Sequence, residues 1–142
     1  MEILSLLIPM PPTSNRITMP MRGRLIKTSE YRIYESKIQI YKLKNFRKLE
    51  EIEERFKGKM LRVDTEFFFN HNRVYTKKGE LKRIDSHNRI KIIFDVFSKL
   101  INIDDSRFVE GMHSKCYCEN NKSEYVSLHI SEVTNLKGCL FL

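Results

Sequence analysis

Two acidic segments on either side of an apolar stretch carry residue types that can hold a divalent cation. Asp85 and His87 lie in the first segment with Lys91 close behind them, and Asp104 and Asp105 form the second. Carboxylates are the ligands that hard divalent cations prefer, and an ammonium group can neutralise charge that develops on a phosphate. This combination is typical of metal-assisted hydrolysis, provided that the fold brings the two segments together.

The apolar stretch between the segments has the period of a helix that is buried along one face. Its apolar residues recur at three- and four-residue steps: Ile90, Ile93, Phe94, Phe97, Leu100 and Ile101. Asp85 or Ser86 supplies an oxygen that can cap the first turn. A strand that follows Asp105 and returns beside the start of the helix would bring Asp85, His87 and Asp105 into one site.

The composition indicates one basic domain over residues 1–142. Lysine and arginine number 26 against 18 aspartates and glutamates, which gives a formal net charge of +8. This surplus favours a polyanionic partner, either nucleic acid or a membrane surface. No segment approaches the roughly 20 apolar residues of a membrane span, and the N-terminal apolar run is too short for a signal peptide. Three cysteines without a framework spacing fit a reducing cytosol, so we expect a cytoplasmic protein.

The apolar patterning predicts alternating strands and helices. The expected order is strand, helix, strand, small hairpin, helix, strand, strand. This order gives an α/β (α+β) fold with a mixed sheet of four to five strands and two main helices. The predicted strands are Leu4–Ile8, Met60–Phe69, Arg107–Cys118 and Glu124–Val133, and the first predicted helix runs from Thr28 to Gly58. Residues 134–142 form an apolar tail.

Two basic segments are candidates for contact with a phosphate backbone. Residues 13–27 have no regular period and are interpreted as a basic loop, which is either solvated or bound to phosphate. Residues 70–84 form an enlarged basic loop with a hairpin tip at Lys77–Glu80. The charge run of the first helix is interpreted as a solvated face and its tyrosines as core. The candidate phosphate contacts are Arg16, Arg22, Arg24, Lys27, Arg73, Lys77, Lys78, Lys82 and Arg83.

The acidic segments belong to an ordered set of motifs that covers nearly the whole chain, apart from residues 70–84 and the tail. The set comprises Ile8-Pro9, Pro11-Pro12-Thr13-Ser14-Asn15, Gly23-Arg24, Thr28-Ser29, Asp85-Ser86-His87-Asn88-Arg89-Ile90-Lys91, Asp104-Asp105 and Lys115. In this order the motifs resemble the RusA family of Holliday-junction resolvases, the crossover junction endodeoxyribonucleases. That family has Asp-x-Asp-Asn-x-x-Lys at the start of a helix and an Asp-Asp pair before the next strand.

The resemblance implies a homodimeric, Mg²⁺-dependent endonuclease that resolves four-way DNA junctions by paired nicks in recombination and repair. Such a protein would be encoded by a bacterium or a phage. By position, Asp85 and Asp105 are the metal-binding carboxylates. Asp104 is a weaker candidate for this role than Asp105. Lys91 is the essential lysine, and Lys115 matches a recurrent basic position and is added to the DNA-binding candidates. Neither a small-molecule cofactor nor a membrane partner is expected.

His87 departs from the family pattern, because the family usually has an aspartate at this position. A neutral imidazole removes one negative charge, which should weaken Mg²⁺ binding and shift the preference toward Mn²⁺ or other borderline ions. We therefore place His87 with Asp85, Lys91 and Asp105 among the catalytic candidates, and with Asp85 and Asp105 among the metal ligands. Two other interpretations stay open: His87 contacts nothing functional, or the chain binds junctions with a crippled nuclease activity.

Other residues and other functions have weaker support. His113, Cys116 and Cys118 have a poor spacing for zinc, and strand alternation separates His113 from the two cysteines. The alternative functions are a catalytically weak junction-binding accessory protein on the same fold and a general nucleic-acid-binding or RNA-binding module. A metabolic enzyme ranks last, since the sequence has no glycine-rich phosphate loop and no nucleophile elbow.

Overall fold

One long strand, β4 (Met60–Asn70), organises the fold. The computed structural model describes residues 2–13, 17–84 and 86–138. In chain order the other strands are β1 (Leu4–Pro9), β2 (Thr18–Met21), β3 (Arg24–Lys27), β5 (Phe108–Glu110), β6 (His113–Cys118) and β7 (Tyr125–Val133). The helices are α1 (Ser29–Lys44), α2 (Phe46–Phe56), α3 (His71–Val74) and α4 (His87–Ile101).

Strand β4 alternates strictly between buried and half-buried residues, as its period-two pattern predicts. Its buried side chains are Leu61, Val63, Thr65, Phe67 and Phe69. The strand pairs antiparallel with β7, which in turn pairs antiparallel with β1. Along its other edge it pairs in parallel with β5 and then with β6. This arrangement is the predicted mixed sheet, with five strands.

The core lies between one face of this sheet and the helices α1, α2 and α4. Helix α4 contributes Ile93, Phe97 and Ile101, which are fully buried at the spacing that the sequence predicts. The ring of Phe97 lies against Phe108 of β5, with ring centroids 5.5 Å apart. The predicted α/β class is therefore confirmed. None of the helices in the described part of the chain is both long and apolar enough to cross a membrane.

The helix predicted from Thr28 to Gly58 is two helices, because Asn45 interrupts it. Thr28 caps α1, since its side chain accepts a hydrogen bond from the amide of Tyr31. At the other end, the backbone N–H and the side-chain Nδ2 of Asn45 both donate to the carbonyl of Tyr41, at 3.0 and 2.9 Å. This side-chain competition for a backbone carbonyl ends α1. Gly58 follows α2 with a φ of +74°, so the predicted helix stop is confirmed.

The interpretation of residues 13–27 as an irregular loop is wrong for its second part, where β2 and β3 form a hairpin. Arg22 and Gly23 make the two-residue turn, with φ values of +50° and +73°. Positive φ at both turn positions matches the twist of a tight hairpin. Nearly every residue of the two strands is exposed. The hairpin has no buried face to impose an apolar alternation, so its sequence gives no strand signal.

The single strand predicted for Arg107–Cys118 is also wrong. A 3₁₀ turn (Asp105–Arg107) comes first, and β5 and β6 follow as separate strands around Gly111. The two strands pair with successive parts of β4, and the pairing of β5 has a register shift between Leu61 and Arg62 of β4. A Cβ at Gly111 would lie 2.1 Å from the carbonyl oxygen of Val63, so the close approach to β4 requires glycine.

The sheet face opposite the core carries a polar array centred on His129 of β7. Its Nδ1 lies 2.8 Å from Ser5 Oγ, and its Nε2 lies 2.7 Å from Glu66 Oε1. Asp64 on the same face accepts hydrogen bonds from Arg62 Nε and from the amide of Met112. Asp64 and Glu66 therefore belong to the outward face of β4, as predicted.

The polar segment after β4 contains α3 and then a short hairpin. Tyr75 and Leu81 form an antiparallel bridge. Between them, the amide of Gly79 donates to the carbonyl of Thr76, which closes the turn. The predicted hairpin tip at Lys77–Glu80 is therefore confirmed.

Candidate functional site

The start of α4 carries two of the predicted catalytic side chains to the surface. His87 is the first residue of the helix and Lys91 lies four residues later, and both are exposed. Ser86 occupies the N-cap position without a side-chain capping hydrogen bond in the described structure. Asp85, the other predicted cap, lies outside the described residues. Because residues four apart share one side of a helix, this helix start presents an imidazole and an ammonium group together.

Arg89 fixes the helix start from its buried side. Only 8% of the residue is exposed, and its Nε donates to the carbonyl of Pro11 at 3.1 Å. Its guanidinium also lies 5.2 Å from the centroid of the Phe69 ring, a favourable contact for a buried cation. These contacts tie α4 to the end of β1 and to β4. Arg89 was not among the predicted site residues, although an arginine beside an apolar helix face is a recognisable signal.

Strand β6 brings a second imidazole to His87. In the parallel ladder His113 stands opposite Thr65, and Lys115 stands opposite Phe67. Because Thr65 and Phe67 face the core, His113 and Lys115 point to the side of the sheet on which α4 lies. The Nε2 atoms of His87 and His113 are 3.1 Å apart, and the rings meet edge to face. This histidine pair was not predicted, because it depends on the register between two strands that are distant in sequence.

The two aspartates before β5 have different surroundings. Asp104 accepts a hydrogen bond from the amide of Ser106 at 2.8 Å, and hydrogen bonds from Ser106 hold the pKa of Asp104 below its usual value. Asp105 starts the 3₁₀ turn and is exposed. Within residues 2–13, 17–84 and 86–138, no group of three or more His, Cys, Asp or Glu side chains is placed to hold a metal ion. The convergence of Asp85, His87 and Asp105 therefore stays a prediction.

The alternative zinc site is not assembled in the described part of the chain. His113 faces α4, whereas Cys116 and Cys118 point to the other side of β6. Cys116 Sγ lies 3.9 Å from Glu66 Oε2, and burial, followed by the charge of Glu66, raises the pKa of the thiol. A raised pKa favours the neutral thiol, whereas zinc binds the thiolate.

A groove of about 1140 Å³ runs between α1, the end of β1 and the start of α4. Its charged lining is mainly basic, and the basic residues are Lys37, Lys44, Arg73, Arg83, Arg89 and Lys122. Glu30 and Glu124 also line the groove, and Glu124 forms an ion pair with Arg73. A concave surface with this excess of positive charge fits a phosphate backbone.

The predicted DNA-binding residues divide between this groove and its surroundings. Arg73 and Arg83 line the groove. Lys37 and Lys44 of α1 also line it but were missed, because the charge run of the helix was interpreted as a solvated face. The remaining candidates are Arg22, Arg24 and Lys27 around the β2–β3 hairpin, Lys77, Lys78 and Lys82 after α3, Lys115 on β6, and Arg16 outside the described residues.

A side chain at Gly111 is expected to disturb the histidine pair, because this residue sets the position of β6 just before His113. In Gly111→Ala the new Cβ would meet the carbonyl oxygen of Val63 at 2.1 Å, so the start of β6 must move. We expect urea denaturation to show a loss of roughly 1–3 kcal/mol in the free energy of unfolding. Histidine NMR should show a changed environment for His113. Gly138→Ala is the matched control, since a Cβ there meets nothing within 4 Å. Equal changes in the free energy of unfolding for Gly111→Ala and Gly138→Ala would contradict the close approach of Gly111 to Val63.

Comparison with protein-family models gives a match that covers most of the chain. The family described as Endodeoxyribonuclease RusA matches residues 9–127. This span begins at the end of β1 and includes the basic residues of the groove, the whole of α4, the Asp104–Asp105 pair and β6. A search of curated proteins gives no match. The elements that carry the candidate site are thus the elements that the family model covers.

Proposed function

The chain belongs to the RusA family of endodeoxyribonucleases, and on that premise we propose that it is a metal-dependent enzyme that makes paired nicks in four-way DNA junctions. The family match over residues 9–127 is the observation that carries this proposal. Membership implies an endonuclease that resolves Holliday junctions in recombination. The dependence on metal, the paired geometry of the cuts and the homodimer are the parts that we propose.

Charge and shape support DNA as the substrate. The net charge of +8 favours a polyanion, and the groove beside α4 collects basic side chains from four separate parts of the chain. Lysine and arginine contacts to phosphates position a nucleic acid without reading its sequence. This mode of binding suits an enzyme that recognises the shape of a junction.

Hydrolysis of a phosphodiester needs an activated water and stabilisation of the negative charge that develops on the phosphate. A divalent cation, when bound, lowers the pKa of its water and polarises the phosphate. We assign Asp85, His87 and Asp105 to holding the cation. Lys91 neutralises charge on the reacting phosphate. Lys115, which points to the side of the sheet on which α4 lies, contacts a neighbouring phosphate.

The contact between His87 and His113 fits a borderline divalent cation better than Mg²⁺. Mg²⁺ takes oxygen ligands, whereas His87 at the start of α4 and His113 on β6 offer imidazole nitrogens. Mn²⁺ accepts nitrogen ligands more readily than Mg²⁺ does. We therefore propose that Mn²⁺ supports activity at least as well as Mg²⁺, the ion that the family resemblance implies.

A homodimer is the assembly that paired nicks require. A four-way junction with two-fold symmetry presents two equivalent strands for cutting. Two copies of the active site, related by the same two-fold axis, cut both strands in one encounter.

The test is cleavage of a synthetic four-way junction compared with a linear duplex of the same arm sequence, each with Mg²⁺, Mn²⁺ or a chelator. We expect symmetric nicks in the junction that need a divalent cation, and an intact duplex. If the protein binds the junction but cuts it with neither ion, it is a junction-binding accessory protein. If it binds the two DNAs equally and cuts neither, it is a general nucleic-acid-binding module.

Removal of the two groove lysines on α1 is expected to weaken junction binding. Affinity decreases as salt increases, and the plot of log affinity against log salt has a negative slope. Without Lys37 and Lys44, the magnitude of this slope should decrease by about 2, roughly one for each phosphate that is no longer neutralised. Fluorescence anisotropy with a labelled junction in chelator measures this slope without cleavage. The matched control is the double variant of Arg47 and Lys48, which are exposed on α2 and do not line the groove. An equal decrease in both double variants would show that the DNA does not follow the groove.

A further inference from the structure

We propose that His87 and His113 together bind a borderline divalent transition-metal ion such as Zn²⁺, which makes His113 a metal ligand of this chain. The inference rests on the proposed function, which identifies the start of α4 as the active site. It deepens that function because it names the class of cation that the site takes. It also adds a ligand that neither the acidic motifs nor the family resemblance supplies.

The separation of the two imidazoles is the first support. Their Nε2 atoms lie 3.1 Å apart. Nitrogen ligands bind Zn²⁺ at about 2.0–2.1 Å, so two of them in a tetrahedral site lie about 3.3–3.4 Å from each other. The distance in the protein is about 0.2–0.3 Å shorter than this separation. A small outward movement of the two rings would therefore let one ion bind both nitrogen atoms.

The second support is that both imidazoles stand on elements held by the core. The start of α4 is fixed by the hydrogen bond from buried Arg89 to the Pro11 carbonyl. Strand β6 is fixed by its continuous parallel ladder with β4. Sites built on anchored helices and strands hold their ligands more accurately than sites on loops. Both histidines are also exposed, so an ion and a phosphate oxygen can reach them.

The ligand type selects the class of ion. Neutral imidazole suits Zn²⁺, Cu²⁺, Fe²⁺ and Ni²⁺, whereas Mg²⁺ prefers carboxylates, carbonyls and water. A pair of imidazoles therefore discriminates against Mg²⁺ more strongly than the single His87 that the motif suggests. Two nitrogen ligands also leave positions at the ion for oxygen ligands, such as carboxylates, water or a phosphate of the DNA.

A hydrogen bond between the rings is the competing explanation of the same distance. One Nε2 would then donate its proton and the other would accept it. A shared metal ion instead requires that both Nε2 atoms be deprotonated. The two explanations therefore differ in how the rings respond when metal is added.

The experiment is a Zn²⁺ titration of the full chain, labelled with ¹⁵N-histidine and free of DNA. The chain has four histidines, so side-chain NMR follows every imidazole at once. We expect the Nε2 signals of His87 and His113 to move together, while those of His71 and His129 stay in place. Calorimetry should show Zn²⁺ affinity at least roughly tenfold lower in His113→Ala. His71→Ala, which removes another exposed imidazole, is the matched control with unchanged affinity.

A second variant keeps the proposal testable if His113→Ala does not fold. His87→Asp replaces a nitrogen ligand by oxygen, so we expect weaker Zn²⁺ binding together with tighter Mg²⁺ binding. The proposal is overturned if His87 and His113 do not respond to Zn²⁺, or if His113→Ala and His87→Asp bind Zn²⁺ as the wild type does. A response of His129 in their place would put the ion on the opposite sheet face, beside Glu66, and would also overturn it.

Junction cleavage, measured separately, distinguishes this proposal from the proposed function. Histidine signals that respond to Zn²⁺ without any junction cleavage support the metal pair and reject the nuclease. Junction cleavage without a response of His87 and His113 supports the nuclease and rejects the metal pair.

Discussion

Replacement of Asp105 by asparagine is expected to reduce junction cleavage on the order of 10²- to 10³-fold, the loss typical when one charge-stabilising group is removed from an active site. Asparagine has nearly the same shape as aspartate, and Asp105 is exposed in its turn. The fold and the binding of DNA should therefore survive. Single-turnover assays with Mg²⁺ and Mn²⁺ measure the rate of junction cleavage. A junction-binding assay in chelator measures DNA affinity independently of cleavage.

Asp104→Asn is the matched control for this prediction. Asparagine at this position keeps an oxygen that can accept the hydrogen bond from the amide of Ser106, while it removes the same charge as Asp105→Asn. We expect cleavage within a few-fold of wild type, about 1 kcal/mol or less in activation free energy. Equal losses in the two variants would show that the local negative charge matters, and that Asp105 has no specific role as a ligand.

Truncation of Phe97 is expected to have the largest effect on stability. The side chain is fully buried in α4 and packs against the ring of Phe108. Phe97→Ala should lower the free energy of unfolding by roughly 3–5 kcal/mol, because it removes buried apolar surface and leaves a cavity. Urea denaturation followed by far-UV circular dichroism measures this change. The variant should also lose junction cleavage at temperatures where the wild type stays folded, since α4 carries His87 and Lys91.

Phe46→Ala is the control with the same change in composition. Phe46 begins α2 and is 61% exposed, so its removal should change the free energy of unfolding by only about 0.5 kcal/mol or less. A large loss in Phe46→Ala alone would indicate that this exposed ring is covered by a partner chain under the conditions of the measurement.

Elements with a regular buried face, such as β4 and α4, could be predicted from the sequence. The alternation of apolar residues from Leu61 to Phe69 identified β4, and the three- and four-residue steps from Ile90 to Ile101 identified α4. In both, burial against the core imposes a period on the sequence. The acidic motifs at the two ends of α4 could be identified for a similar reason, since they stand next to a strongly patterned element.

The β2–β3 hairpin, the break in the first helix and the histidine pair could not be predicted. The β2–β3 hairpin is held by backbone pairing and by two residues at positive φ, so its side chains carry no period. The break between α1 and α2 depends on one asparagine side chain that bonds a nearby carbonyl. The contact of His87 with His113 depends on the parallel register of β4 and β6, which no local pattern specifies. Tertiary geometry, rather than local preference, assembles this part of the candidate site.

The pairing of β1 with β7 has a consequence for how the protein is made. Ser5 and His129 meet across this pair although they are 124 residues apart in the chain. Strand β7 lies between β1 and β4 in the sheet, and among the described strands it comes last in the chain. The middle of the sheet is therefore completed only when β7 has been synthesised. Pairings over such distances form late, because the entropy of closing a long loop must be overcome first. A ribosome-bound chain that lacks β7 therefore has an incomplete core, and the folded domain arises only after this strand has emerged.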